Sequence, residues 1–188
     1  MTTVYFVRHA EPNYSNRDNM SRELTEKGLA DRILVTEYLA DKDISAVLSS
    51  PYKRAVDTVK HFADSKGLPV VTVDDFRERR VDSVWIEDIE SFFVRQWNDF
   101  SYKLNDGESL GEVRQRNIAA LQKVLEQYSG QNIVIGTHGT ALSTIINYYD
   151  SSFGYEQFCE IKGLMPWIVR MEFDGTKNNN IQKYNLFE

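Results

Sequence analysis

Thr3-Val4-Tyr5-Phe6-Val7-Arg8-His9 is an apolar, β-branched and aromatic run that stops abruptly at a guanidinium and an imidazole. With no polar face, such a run reads as a short strand buried on both sides, as in a parallel sheet. In an open α/β sheet, ligands bind beyond the carboxyl ends of the strands. The residues that follow each strand therefore carry the functional question.

Working outward, residues 8–24 are rich in Asn, Ser and other polar residues and contain Pro12, so they read as a loop. Thr25 is placed to cap a helix whose apolar positions are Leu29, Ile33, Leu34, Tyr38 and Leu39. Ile44 to Leu48 reads as a second buried strand. A helix then starts with Ser50 as N-cap and Pro51 in its first turn, and runs to Gly67. Val70 to Val73 is a third strand. Residues 84–106 hold Trp85, Phe92, Phe93, Trp97 and Phe100 and predict a helical, aromatic-rich insertion that caps the site. A long amphipathic helix follows from Ser109 to Tyr128. Asn132 to Gly136 is a fourth strand, Thr137-His138-Gly139-Thr140 the turn out of it, and Ala141 to Tyr149 a helix. Trp167 to Phe173 and Ile181 to Leu186 are late strands, with Lys177 to Asn180 as a loop between them. This alternation predicts an α/β fold: one domain over 1–188, a three-layer α/β/α sandwich with a mostly parallel central sheet.

Composition sets outer bounds. The 188 residues are 41% hydrophobic and 27% charged, as in a folded globular chain. The net charge of −6 argues against a general nucleic-acid binder, so any anion must be held by a local arginine cluster. No run approaches the roughly 20 apolar residues that span a bilayer. No basic flank precedes the first apolar run, so no secretory leader is expected. Cys159 is the only cysteine, which leaves no intrachain disulfide and no cysteine metal cluster. A cytoplasmic protein is the expectation.

The strand ends deliver a coherent set: Arg8 and His9 from the first, Ser49-Ser50 and then Arg54 from the second, Arg77-Glu78 after the third, His138 and Gly139 after the fourth. Two imidazoles with two guanidiniums make an anion pocket. Phosphoryl transfer needs its equatorial oxygens neutralised, and arginine forks onto phosphate while staying charged. A neutral imidazole can act as nucleophile, and a carboxylic acid can protonate the leaving alkoxide. Helix N-termini after Ser50 and His138 would add backbone donors.

Taken singly, each residue has a plainer reading. Arg8-His9 could be a strand-end pair, His138 a turn residue, and Arg54 a solvated helix position. Glu78 could form a surface ion pair among Arg77, Arg79 and Arg80. Glu108-Ser109 could be no more than a helix start. Glu11 is a second candidate for the acid. The aromatic residues of the insertion could be core. No HExxH or carboxylate cluster supports a metal between His9 and His138.

The ordered set of blocks resembles the histidine-phosphatase, or phosphoglycerate-mutase-like, family. The blocks are Val4 to Pro12 with its Arg8-His9, Leu24-Thr25-Glu26-Lys27-Gly28, Ser49 to Ala55 with Thr58, Phe76-Arg77-Glu78, Asp106-Gly107-Glu108-Ser109, and Gly136-Thr137-His138-Gly139. The resemblance implies a phosphohistidine on His9, a phosphate pocket completed by Arg8, Arg54, His138 and the backbone near Gly139, and Glu78 as general acid. It implies no metal and no organic cofactor. It also implies an asparagine six residues after the nucleophile; Ser15 stands there, flanked by Asn13 and Asn16, and these three with Glu108 and Ser109 are the candidate substrate contacts. The stretch after Glu78, Arg79 to Trp85, lacks the family's usual glycines, which bears on the leaving group. The implied activity is a phosphomonoesterase acting on a small phosphorylated metabolite. Two alternatives remain: a phosphoglycerate mutase, which the short chain disfavours, and a phosphate-binding regulatory module without turnover.

Overall fold

The computed structural model describes residues 1–188. Strands β1 (Thr2–Arg8), β2 (Ile44–Ser49), β3 (Val70–Thr72), β4 (Asn132–Thr137), β5 (Trp167–Asp174) and β6 (Lys177–Tyr184) form one sheet in the order β3-β2-β4-β1-β5-β6. β1 to β4 run parallel, while β5 and β6 are antiparallel additions on one side. The helices are α1 (Glu26–Leu39), α2 (Lys53–Lys66), α3 (Ile89–Asn98), α4 (Leu110–Gln127), α5 (Gly139–Tyr149) and α6 (Tyr155–Ile161).

Alternation along the strands builds the two faces. Tyr5 and Val7 of β1, with Val47, Val134 and Ile168, pack on Val35 and Leu39 of α1 and Val59, Phe62 and Ala63 of α2. Val4 and Phe6 turn the other way, with Ile133, Ile135, Val169 and Met171, onto α4, α5 and α6 through Leu121, Leu142, Ile145 and Phe158. The three-layer α/β/α sandwich expected from the strand–helix alternation is therefore present.

Four local readings need correction. Ser50 does not cap α2; that helix begins two residues later behind Tyr52 without a side-chain cap, and the Ser50 hydroxyl instead accepts the Tyr52 amide (3.2 Å) and bonds His138. Leu29 and Ile33 are 41% and 43% exposed, so the stripe of α1 is narrower than its apolar positions suggested. Lys177 to Asn180 is strand, not loop: ladder bonds to β5 override the weak strand preference of asparagine, and only the turn at Gly175, with φ +57°, breaks the hairpin. Of the aromatic insertion only Ile89–Asn98 is helical, and α6 was not anticipated.

Candidate active site

The sheet register brings the two histidines together. β1 and β4 are parallel neighbours with Arg8 opposite Thr137, so the next residue on each strand, His9 and His138, leaves the sheet at the same point. The His9 amide donates to the Thr137 carbonyl (3.1 Å), and the two imidazole rings lie 5.3 Å apart. β2, on the other side of β4, adds Ser50, whose amide donates to the Gly136 carbonyl (2.8 Å) and whose hydroxyl lies 2.7 Å from Nε2 of His138. Gly136 is required here: a Cβ would stand 2.7 Å from the Ser49 hydroxyl and 3.1 Å from the Ala55 carbonyl.

His9 is held in one tautomer. Its Nδ1 lies 2.8 Å from the Ala10 carbonyl, which can only accept, so Nδ1 carries the proton and Nε2 keeps its lone pair. Nε2 has no partner within the protein and is not sealed from solvent. Thr58 on α2 fixes this turn, accepting the Ala10 amide (3.0 Å) while donating to the Arg54 carbonyl (2.7 Å). Burial first, then the charges of Arg54 and Arg8, push the His9 imidazole well below its usual range, and burial with Arg54 does the same to His138. Both rings are thus neutral at pH 7, as a nitrogen nucleophile must be.

The guanidiniums around them differ. Arg54 is 3% exposed and stacks on Tyr52 at 5.1 Å; its Nη1 donates to the Asn19 carbonyl (2.8 Å), while Nε and Nη2 have no protein partner and reach solvent. Burial lowers it to about 10, so it stays charged at neutral pH. Arg8 lies against Gly139, where a Cβ would come within 3.1 Å of the guanidinium carbon. Its Nη1 donates to the carbonyls of Ile161 and Leu164 and its Nη2 to that of Lys162, leaving a buried, unpartnered Nε. The segment after α6 thereby fixes Arg8 beside the histidines.

Glu78 also converges on this point. Its carboxylate accepts the amides of Thr140 and Ala141 (3.0 Å each) in the first turn of α5, and that of Arg79 (2.8 Å). The helix end expected to offer free donors is thus occupied by the candidate acid. Glu11, the other candidate, accepts a hydrogen bond from Thr25 (2.8 Å).

The candidate substrate residues lie farther out. The amides of Asn13 and Asn16 both donate to Glu23, at 2.6 and 2.8 Å, and the exposed Ser15 gives its backbone amide to Asn13. Ser109 caps α4 in a capping box with Glu112. Glu108 pairs with Arg116 through both oxygens, at 2.7 and 2.9 Å.

Sequence reasoning missed two arginines. Arg116 donates to the carbonyls of Asp75, Arg77 and Glu78, and so clamps the backbone that carries Glu78. Arg22 is 6% exposed in the loop before α1 and shares Asn19 with Arg54. A loop arginine and a helix arginine beside Arg114 look like solvated residues in sequence; only tertiary contacts reveal them.

Residues 4–186 match the model of the histidine phosphatase superfamily (branch 1), and the chain belongs to that superfamily. It is similar to a metal-independent phosphoserine phosphatase of Arabidopsis thaliana, with 30% identity over 161 residues that cover 77% of this chain and 67% of that protein. A probable phosphoglycerate mutase, GpmB, of Yersinia pestis is 29% identical over 159 residues, covering 78% and 74% of the two chains. The fold is also that of YhfR from Bacillus stearothermophilus, with TM-score 0.78, 22% identity and 95% of each chain covered. A mutant phosphoserine phosphatase of Entamoeba histolytica, solved in complex with phosphoserine, superposes with TM-score 0.79 at 18% identity over 98% and 97% of the chains. No helix is long and apolar enough to cross a membrane.

Proposed function

We propose that this chain hydrolyses phosphomonoesters of small metabolites through a phosphohistidine on His9. One observation carries the reading: the bond from Nδ1 to the Ala10 carbonyl leaves Nε2 of His9 as an unprotonated, unpartnered nitrogen beside His138 and two guanidiniums. In the first half-reaction Nε2 attacks phosphorus as the ester P–O bond breaks. Glu78 gives its proton to the departing alkoxide. Water then attacks the phosphohistidine as Glu78 accepts a proton from it, the P–N bond breaks to restore the Nε2 lone pair of His9, and inorganic phosphate leaves. Arg54, Arg8, His138 and the backbone at Gly139 stabilise the charge on the equatorial oxygens. No metal or organic cofactor enters this scheme. The segment 84–106, with α3 at its centre, caps the site and selects the alcohol. The exposed single thiol of Cys159 and the absence of a membrane-crossing helix favour the cytoplasm.

The test is turnover of an aryl and an alkyl phosphate by the wild-type chain, His9→Ala and Glu78→Gln. Loss of both activities in His9→Ala, with the fold retained, supports the reading; turnover that survives His9→Ala overturns it. Similarity to a probable phosphoglycerate mutase favours a second reading, in which the phosphohistidine returns its phosphoryl group to bound product. Efficient isomerisation of 3-phosphoglycerate would put that reading first.

A further inference from the structure

His138 is fully buried and, being neutral, carries a single N–H shared between two ring nitrogens. Which nitrogen holds it decides what the ring can do. The ring is fixed in place by edge contacts with His9 at 5.3 Å and Tyr52 at 5.2 Å. Its Nε2 lies 2.7 Å from the Ser50 hydroxyl, while its Nδ1 is buried with no protein partner. The place of the proton therefore depends on Ser50.

A serine hydroxyl has one hydrogen and two lone pairs. The Tyr52 amide, 3.2 Å from the Ser50 oxygen, can only donate and takes one lone pair. Apart from Nε2 of His138, no acceptor lies within hydrogen-bond reach of the hydroxyl. Two arrangements remain. If Nε2–H donated to Ser50, the hydroxyl hydrogen would be buried without an acceptor and the Nδ1 lone pair without a donor. If Ser50 donates to Nε2, both hydrogens on Ser50 and Tyr52 are paired and only the Nδ1–H of His138 is left over. Each unpaired buried polar group costs free energy, so the second arrangement is favoured. A phosphoryl oxygen without a proton accepts from Nδ1–H and would be repelled by a bare Nδ1, so bound substrate reinforces the preference.

Resting on the phosphatase reading, we infer that Ser50 is a positioning residue whose hydroxyl donates to Nε2 of His138, holds the proton on Nδ1, and so makes His138 a hydrogen-bond donor to the phosphoryl group. The two histidines then share one tautomer, fixed from opposite nitrogens: by the Ala10 carbonyl at Nδ1 of His9 and by the Ser50 hydroxyl at Nε2 of His138. What remains free on His9 is a lone pair, which attacks. What remains free on His138 is an N–H, which stabilises charge.

Nitrogen-15 NMR of the uniformly labelled chain near neutral pH reads the tautomer directly, through couplings between the ring nitrogens and the carbon-bound ring protons. His138 should show a protonated Nδ1 and an unprotonated Nε2, and saturating inorganic phosphate should shift the Nδ1 resonance. Ser50→Ala should move the proton toward Nε2 and weaken inorganic phosphate about 10-fold, and Ser50→Thr, which keeps the hydroxyl, should restore both. A protonated Nε2 in the wild-type chain, or an Nδ1 resonance unmoved by phosphate, would overturn the inference, and neither result depends on how a variant folds. Ser50→Ala that weakens phosphate with the tautomer unchanged would reduce Ser50 to a structural part, and undiminished phosphate binding would end its role at the site. None of these measurements uses turnover, so failure of the phosphatase reading shows separately, as hydrolysis that survives His9→Ala.

Discussion

At the scale of single residues, the backbone gives His9 and Glu78 different tasks. The Ala10 carbonyl orients one imidazole nitrogen so that the other is free to attack, and the first turn of α5 holds the Glu78 carboxylate. Glu78→Gln keeps the size and accepting oxygen of the side chain but cannot cycle a proton. Its kcat/KM should fall by about two orders of magnitude for an alkyl phosphate and far less for a nitrophenyl ester, whose phenolate leaves unaided. Equal losses across a leaving-group series would remove Glu78 from the acid role. Gly139→Ala should displace Arg8, because the added methyl meets the guanidinium at 3.1 Å. The expected result is weaker inhibition by inorganic phosphate with little change in thermal stability. Arg8, His9 and His138 were legible because each follows an apolar strand at its polar end. Arg22 was not, since a loop has no periodicity that marks a buried cation.

At the scale of elements, the acid segment is held from α4. Arg116 ties three carbonyls between Asp75 and Glu78, and Glu108 neutralises it while accepting the Arg80 amide at 2.9 Å. Arg116 is therefore a positioning residue for Glu78. Arg116→Met should steepen the dependence of rate on leaving-group pKa while sparing aryl phosphates; a uniform loss across the series would mark it as structural only. Ser109→Ala removes the hydroxyl half of a capping box, leaving the backbone amide on the Glu112 carboxylate, and should cost about 1 kcal/mol in urea unfolding, with kcat for an aryl phosphate unchanged. The start of α4 at Ser109 was readable because capping chemistry is local. The start of α2 was misread because Ser50 has the right chemistry for a cap, but its hydroxyl serves the Tyr52 amide and His138, a partner 88 residues distant, in the turn before the helix. The strand at Lys177–Tyr184 was misread for a related reason: its asparagines are poor strand formers, and the ladder from β5 supplies the order.

At the scale of the whole molecule, strands far apart in sequence become neighbours and assemble one buried cationic centre. The cost of that centre should appear in the pH dependence of stability. His9 and His138 are 5% and 0% exposed, and both imidazoles are held below the ordinary value of 6.5. As pH falls below 6.5, the unfolded chain binds protons on these two residues that the folded chain refuses, so stability must fall. The slope from the pair should reach about 2.7 kcal/mol per pH unit and end where the folded rings themselves titrate. Chemical denaturation between pH 7 and 5 measures it, and a His9→Gln, His138→Gln double variant should flatten the curve.

The central claim is that His9 becomes phosphorylated, and one rapid-quench experiment addresses it directly. The chain is mixed with excess nitrophenyl phosphate, quenched in base within the first turnover, and its peptides are mapped by mass spectrometry. The account predicts a burst of nitrophenolate matched by an acid-labile phosphoryl group on the peptide that carries His9. Turnover with no phosphorylated peptide, or with the phosphoryl group on another residue, would contradict it.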